Sequence, residues 1–321
     1  MVKTDVHYPT DSNLLWDAMR KMIKLSHTLC DHVGITTFRQ AKYNLKQVKR
    51  RFHRVRRVHY STSRDPRKQE AKKQDIQHVY RSYLGVCGEY IQRSALLVDA
   101  YSSAGITEMA LCAEICRYSA HAKRQIDQIQ RRIFHGEKIP HGEKVFSLFQ
   151  DHTEWICKGK AGVSQELGVR VAVVEDQHRF ILHHRVMYGE TDEKVTVPLI
   201  EQMKARYPKV RSCSFDKGFY APEHQGRLEE LIDLVVLPKK GRRSRVDQQR
   251  EEDAEFQQER RRHSGVESAI HGLVAQGLGR CLDHGRHGLN RYVALSVLSR
   301  NLHTLGNLLL KREQVHQKTA G

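Results

Sequence analysis

Val210-Arg211-Ser212-Cys213-Ser214-Phe215-Asp216-Lys217-Gly218-Phe219-Tyr220 is the stretch that decides the fold class. An alternating, β-prone run ends in Asp-Lys-Gly, which is turn chemistry. Thr196 to Arg206 before it reads as a helix stopped by Pro208, and Pro222 to Ile232 after it reads as another, followed by the apolar strand Leu234-Val235-Val236-Leu237. Strands alternating with helices of this length predict an α/β fold. Further upstream, Val145 to Phe149, Leu167 to Val174 and Phe180 to Met187 read as consecutive antiparallel strands, with a turn at Asp176-Gln177-His178.

Everything from Asp11 to about Phe134 has a different rhythm. Apolar residues recur at three and four, and Pro66 alone interrupts them. A first helix runs through Leu14, Leu15, Met19, Met22, Ile23 and Leu29, capped by Asp11 or Ser12 and ended by Gly34. A second spans about Thr37 to Tyr60, with Leu45, Val48, Phe52 and Val55 on one face, and further helices cover about 69–102 and 107–134. After Leu237 the segment 239–262 carries nine Lys/Arg and six Asp/Glu, which predicts an exposed charged connector. Two helices close the chain, about Ser264 to Gly277 and Leu289 to Lys311, before a polar tail.

The 321 residues hold 55 Lys plus Arg against 37 Asp plus Glu, a formal net charge of +18, and that surplus favours a polyanionic partner. Hydrophobic residues at 39% exclude a disordered or low-complexity chain. No apolar run approaches the roughly 18 to 20 residues of a membrane span, and Met1-Val2-Lys3-Thr4-Asp5 does not open a leader peptide, so a cytoplasmic protein with no membrane partner is expected. The seven cysteines are odd in number and scattered, unlike a disulfide framework. Cys112 and Cys116 lie four apart on a predicted helix, without the second pair of a zinc ribbon.

The charge is concentrated. Lys42, Lys46, Lys49, Arg50, Arg51, Arg54, Arg56 and Arg57 put eight cations in 16 residues, and no acid occurs from Ala41 through Arg64. A helix so one-sided suits a phosphate backbone, whose counterions it would release, although a solvated face that keeps the protein soluble has the same composition. A second candidate is Lys239-Lys240-Gly241-Arg242-Arg243-Ser244-Arg245, for which a flexible loop is the plain alternative.

Two carboxylates suit metal chemistry. Asp216 ends a predicted strand, at the sheet edge where α/β proteins bind ligands. Glu267 follows Ser264 by three residues, which is also the capping-box pattern. From spacing alone a turn explains Asp216 better than magnesium does, and for Glu267 composition does not choose between a cap and a metal ligand. His152-Thr153-Glu154 lacks a third ligand, and His183-His184 on a strand point to opposite faces. No Gly-rich phosphate loop, nucleophile elbow or dinucleotide fingerprint occurs, so no nucleotide cofactor is expected.

Six blocks, taken in order, resemble bacterial insertion-sequence transposases of the DDE type: His7-Tyr8-Pro9-Thr10-Asp11-Ser12; His152-Thr153-Glu154-Trp155-Ile156 with Lys158-Gly159-Lys160; Asp216-Lys217-Gly218-Phe219-Tyr220; Leu237-Pro238-Lys239-Lys240-Gly241; Arg262-His263-Ser264-Gly265-Val266-Glu267-Ser268; and Arg291-Tyr292-Val293-Ala294-Leu295 leading to Arg300-Asn301-Leu302. The similarity runs from the first residues to about Leu310. It implies a ribonuclease-H-like mixed sheet carrying a large all-helical insertion. On that plan residues 1–10 are a remnant of the first core strand, 11–140 the basic helical insertion, 141–312 the catalytic core and 313–321 a flexible tail.

The resemblance also implies two magnesium (or manganese) ions held by three acids, with Asp216 second and Glu267 third, for cleavage and transfer of DNA strands. It implies double-stranded DNA as partner, both transposon ends and target, with Lys46, Lys49, Arg50, Arg51, Arg54, Arg57, Lys239 and Lys240 as contacts. A homo-oligomer on DNA, in the bacterial nucleoid, is the expected setting. The departure is the first acid. The family carries it in an Asp-Thr-Thr-like strand just before the block matching Thr4 to Ser12, so an N-terminally truncated enzyme is expected. A non-catalytic DNA-binding protein and a metal-dependent nuclease of the same fold are the alternatives.

Overall fold

A computed structural model describes residues 1–60, 66–157, 165–263 and 265–319. Two compact units emerge, Val6–Asp151 and Met1–Asp5 with His152–Gly321.

The first unit is built of helices α1 (Asp11–Val33), α2 (Ala41–His59), α3 (Pro66–Tyr101) and α4 (Ile106–Phe134). Thr10, rather than Asp11 or Ser12, caps α1: its Oγ1 accepts the Asn13 amide at 3.2 Å. Gly34 closes the helix at φ 73°, a left-handed conformation that glycine adopts without strain. Pro66 opens α3 instead of breaking a helix, as its missing N–H permits at a first turn. Leu15, Met19, Met22 and Ile23 of α1 pack with Val48, Phe52 and Val55 of α2, Tyr83 and Cys87 of α3, and Ile115 and Ile129 of α4. Two buried polar pairs link helices of the bundle: Ser26 with Ser94 at 3.0 Å, and the Tyr90 hydroxyl donating to Asn44 Oδ1 at 3.0 Å.

No strand forms over 145–149. Leu148 is buried in the helical core, and Ser147 Oγ accepts the amides of Phe149 and Gln150, which makes a turn where an extended ladder was expected. The helical unit accordingly runs on to Asp151, beyond the expected boundary at 140.

The second unit mixes strand and helix. Its centre is β3 (Gln165–Glu175), which pairs antiparallel with β1 (Val2–Lys3), β2 (Glu154–Cys157) and β4 (Ile181–Met187). Gly168 meets β1 so closely that a Cβ there would collide with the Val2 carbonyl oxygen. The β3–β4 turn is held by Asp176 Oδ1, which accepts the amides of His178 and Phe180 while Arg179 takes φ 74°.

Alternation along β3 sends Val169, Val171 and Val173 toward α9 (Gly265–Leu273) and α10 (Gly285–Thr319). Ala172 and Val174 face α5 (Asp192–Arg206). The sheet is therefore covered by helices on both faces.

A separate parallel pair, β5 (Ser212–Ser214) and β6 (Leu234–Val236), packs Phe215, Val235 and Leu237 with Leu228 of α6 (His224–Glu229). Among the described residues the strands thus form a four-stranded antiparallel sheet and a two-stranded parallel one, where a single mixed sheet was expected.

The charged segment is also folded, into α7 (Arg245–Glu252) and α8 (Ala254–His263), with Glu251 and Phe256 buried. The C-terminal tail is helical to Thr319, where a flexible end was expected. No described helix is long and apolar enough to cross a membrane.

Candidate nucleic-acid interface

On α2 the buried residues Ala41, Asn44, Val48, Phe52 and Val55 form one stripe, stacked at Phe52 on Trp16 with ring centroids 5.9 Å apart. At 100° per residue, Lys42, Lys46, Lys49, Arg50, Arg54 and Arg57 fall on the opposite side, and all six are exposed. Among the described residues none of them forms an ion pair. Arg51 departs from the expected set. It lies at the edge of the buried stripe and donates to the Gln47 carbonyl at 3.2 Å and to Gln47 Oε1 at 3.1 Å.

Two cations of α4 are engaged. Arg131 reaches Glu137 at 2.9 Å and Glu143 at 2.6 Å, and Arg132 pairs with Asp11. Burial raises the Asp11 pKa against the pull of that guanidinium.

The second basic candidate resolves differently. Lys239 Nζ lies 2.5 Å from Asp247 Oδ2, and its backbone amide donates to Glu251 Oε1 at 2.8 Å. The ammonium beside Asp247, helped by Ser244, holds that carboxyl well below the usual range. Glu251, nearly sealed from solvent, also takes Arg243 at 3.2 Å and Arg260 at 3.7 Å. Lys239 is therefore a structural cation rather than a free DNA contact, while Lys240 stays exposed. The missed signal was Ser244-Arg245-Val246-Asp247: a reciprocal capping box closes here, with Ser244 Oγ accepting the Asp247 amide at 3.2 Å and Asp247 Oδ2 accepting the Ser244 amide at 2.8 Å.

Asp216 follows β5 and Phe215, and its Oδ1 accepts the Lys217 amide at 2.7 Å, capping a single 3-10 turn over Lys217–Phe219. That turn rests on the start of α5. Thr196 Oγ1 donates to the Phe219 carbonyl at 2.9 Å, and Asp192 stands so close that a Cβ on Gly218 would lie 2.9 Å from its Oδ2. The approach of Asp192 to this turn was not legible in the sequence.

Glu267 sits exposed in the first turn of α9, whose Gly265 lies against the Arg179 guanidinium. Ser264, the partner in the expected capping box, lies outside the described residues, as do Lys158, Gly159 and Lys160. Among the described residues no group of three His, Cys, Asp or Glu side chains could hold a metal ion. Among the described residues no third acid joins Asp216 and Glu267 in such a group.

His152-Thr153-Glu154 is structural. The His152 ring stands edge-on to Tyr188 at 6.0 Å, Thr153 shares a hydrogen bond with Thr4 at 2.9 Å, and Glu154 Oε1 accepts the Gly189 amide at 2.6 Å. The cysteines Cys30, Cys87, Cys112, Cys116, Cys157, Cys213 and Cys281 are all free.

The chain was compared with family models, with curated proteins and with solved structures, and nothing matches in any of the three. The basic face of α2 stands on its own chemistry.

Proposed function

We propose that this chain is a DNA-binding protein of the DDE-transposase kind, gripping duplex DNA through the exposed face of α2. The observation that carries the reading is six cations on one helical face, Lys42, Lys46, Lys49, Arg50, Arg54 and Arg57, with no carboxylate paired to them among the described residues. Exposed like charges along a helix repel one another, and a row of phosphates removes that repulsion while releasing counterions. Such contacts position a protein on DNA without reading its sequence. A purely solubilising face would need no such segregation, and the neighbouring Arg131 and Arg132 show that acids are available in this unit to neutralise cations. The test is duplex binding by fluorescence anisotropy across a salt series. A steep fall of affinity with salt is expected, and affinity that ignores salt would overturn the reading.

A second reading adds magnesium-dependent strand cleavage and transfer of an insertion sequence, on paired transposon ends and a target in the bacterial nucleoid. Its support is the six-block resemblance together with the position of Asp216 beyond the carboxyl end of a parallel strand, the edge where α/β proteins bind ligands. It requires a third acid to join Asp216 and Glu267 around the ions. Under this reading Asp216→Asn abolishes magnesium- or manganese-dependent nicking of a labelled duplex and leaves affinity unchanged. Absence of nicking by the unaltered chain would leave DNA binding as its whole activity.

A further inference from the structure

Five leucines on α10, Leu295, Leu298, Leu302, Leu305 and Leu309, are each 44–59% exposed. Their spacing of three, four, three, four is the heptad seam of a coiled coil. The helix is anchored from the other side. Leu289, Val293 and Val297 belong to the core against β3, and Asn301 clamps the start of β4, its Oδ1 accepting the Ile181 amide at 2.9 Å and its Nδ2 donating to the Ile181 carbonyl at 3.0 Å. At 100° per residue the leucine stripe faces roughly 140° away from that core face. From Leu305 to Gln317 every residue except Gly306 is exposed, so the end of the helix extends past the sheet. An exposed segment of about fifteen residues is marginal as an isolated helix in water and gains its stability from a partner.

We propose that this stripe is the self-association surface of the protein, pairing with the same stripe of a second copy in a short two-stranded coiled coil. Two features name that occupant. A seam with this repeat is matched by a helix of equal repeat, and a second copy supplies one by two-fold symmetry. The flanking positions also carry little charge: Ser299 and Gly306 on one side, Asn301 and Leu308 on the other, with Glu313 only beyond the last leucine. In a chain of net charge +18, the stretch from Leu298 to Leu310 has Arg300 as its one Lys or Arg and no acid. Two copies can meet here without the like-charge repulsion that opposes contact elsewhere, while a strongly charged partner finds no complementary row. The seam spans about 21 Å from Leu295 to Leu309 at 1.5 Å per residue.

The test is the mass of the full chain by light scattering after size exclusion, without DNA, which separates it from the DNA-binding reading. A concentration-dependent dimer is expected at micromolar protein. Leu302→Glu with Leu305→Glu should raise its dissociation constant by at least about 100-fold. Leu310→Glu, an equally exposed leucine outside the seam, should leave it unchanged, and circular dichroism should show both variants folded. A monomer at every concentration, or a dimer indifferent to the paired substitution, would overturn the proposal. So would equal losses from Leu310→Glu, since they would point to nonspecific apolar contact.

Discussion

Replacing Lys46, Arg50 and Arg54 together by Gln removes three charges from the exposed face of α2 and leaves its buried stripe of Val48, Phe52 and Val55 intact. Among the described residues none of the three holds an ion pair, and all three are exposed, so the unfolding midpoint should stay within about 0.5 kcal/mol of the unaltered chain. The effect belongs in the salt dependence of binding. Each phosphate neutralised contributes about −0.9 to the slope of log K against log salt, so three lost contacts should make the slope shallower by about 2.7. Between about 50 and 200 mM salt the unaltered chain should then lose roughly 40-fold more affinity than the variant loses. Fluorescence anisotropy with a labelled duplex and a scrambled duplex measures both, and the two sequences should respond alike because phosphate contacts carry no base information. A variant whose slope matches that of the unaltered chain would refute the assignment of α2, even if its affinity fell. A parallel replacement of Lys239 should change the slope little, because its ammonium is held by Asp247.

Glu251→Ala should cost about 1.5–3 kcal/mol in chemical denaturation, because it strips the Lys239 amide, Arg243 and Arg260 of one shared carboxylate; an unchanged midpoint would show that α7 and α8 are held by apolar contacts alone. His183 and His184 of β4 are kept below the usual imidazole range by burial first, with Arg206 and Arg185 adding to the effect at His183 and His183 itself at His184. Since the unfolded chain then takes up protons first, stability present above about pH 6.5 should decline as pH falls below it, and the loss should shrink when both are changed to Gln; a midpoint equal at about pH 7.5 and about pH 5.5 would contradict this. His59 and His121 shift in the same direction, burial again the largest cause, so the helical unit should show the same sign.

What was legible in the sequence followed from periodicity and punctuation. The apolar spacing of α1 and the glycine at 34 fixed a helix whose end the structure places at the same residue. The alternation of β3 and β4 around Asp176-Gln177-His178 gave a hairpin whose turn is built by the Asp176 side chain. Short elements were harder. β2 holds four residues, too few to establish a period against the neighbouring loop, and Val145 to Phe149 had strand composition while its apolar side chain Leu148 was claimed by the helices.

The charged stretch 239–262 failed for a different reason. Composition counts charges without saying which way they point, and a carboxylate buried at Glu251 can gather cations from Arg243 and Arg260 into a folded knot that reads, in sequence, like a connector.

The same distinction separates the two halves of the candidate site. A basic helix needs nothing beyond its own sequence to be a cationic surface: once the apolar stripe of α2 is buried, geometry forces Lys46, Arg50 and Arg57 outward. A metal centre depends on carboxylates far apart in sequence converging within a few ångströms, and no local pattern encodes that convergence. Asp216 illustrates the gap. Its local signal, Asp-Lys-Gly after a strand, is satisfied by the turn it caps, and the carboxylate found beside that turn is Asp192, 24 residues upstream. The chemistry of Asp216 is therefore decided by whether another acid comes to it, and that depends on tertiary contacts. The charge of α2 is decided within nineteen residues, which is why a salt series on DNA is the more discriminating first experiment on this chain than an assay for cleavage.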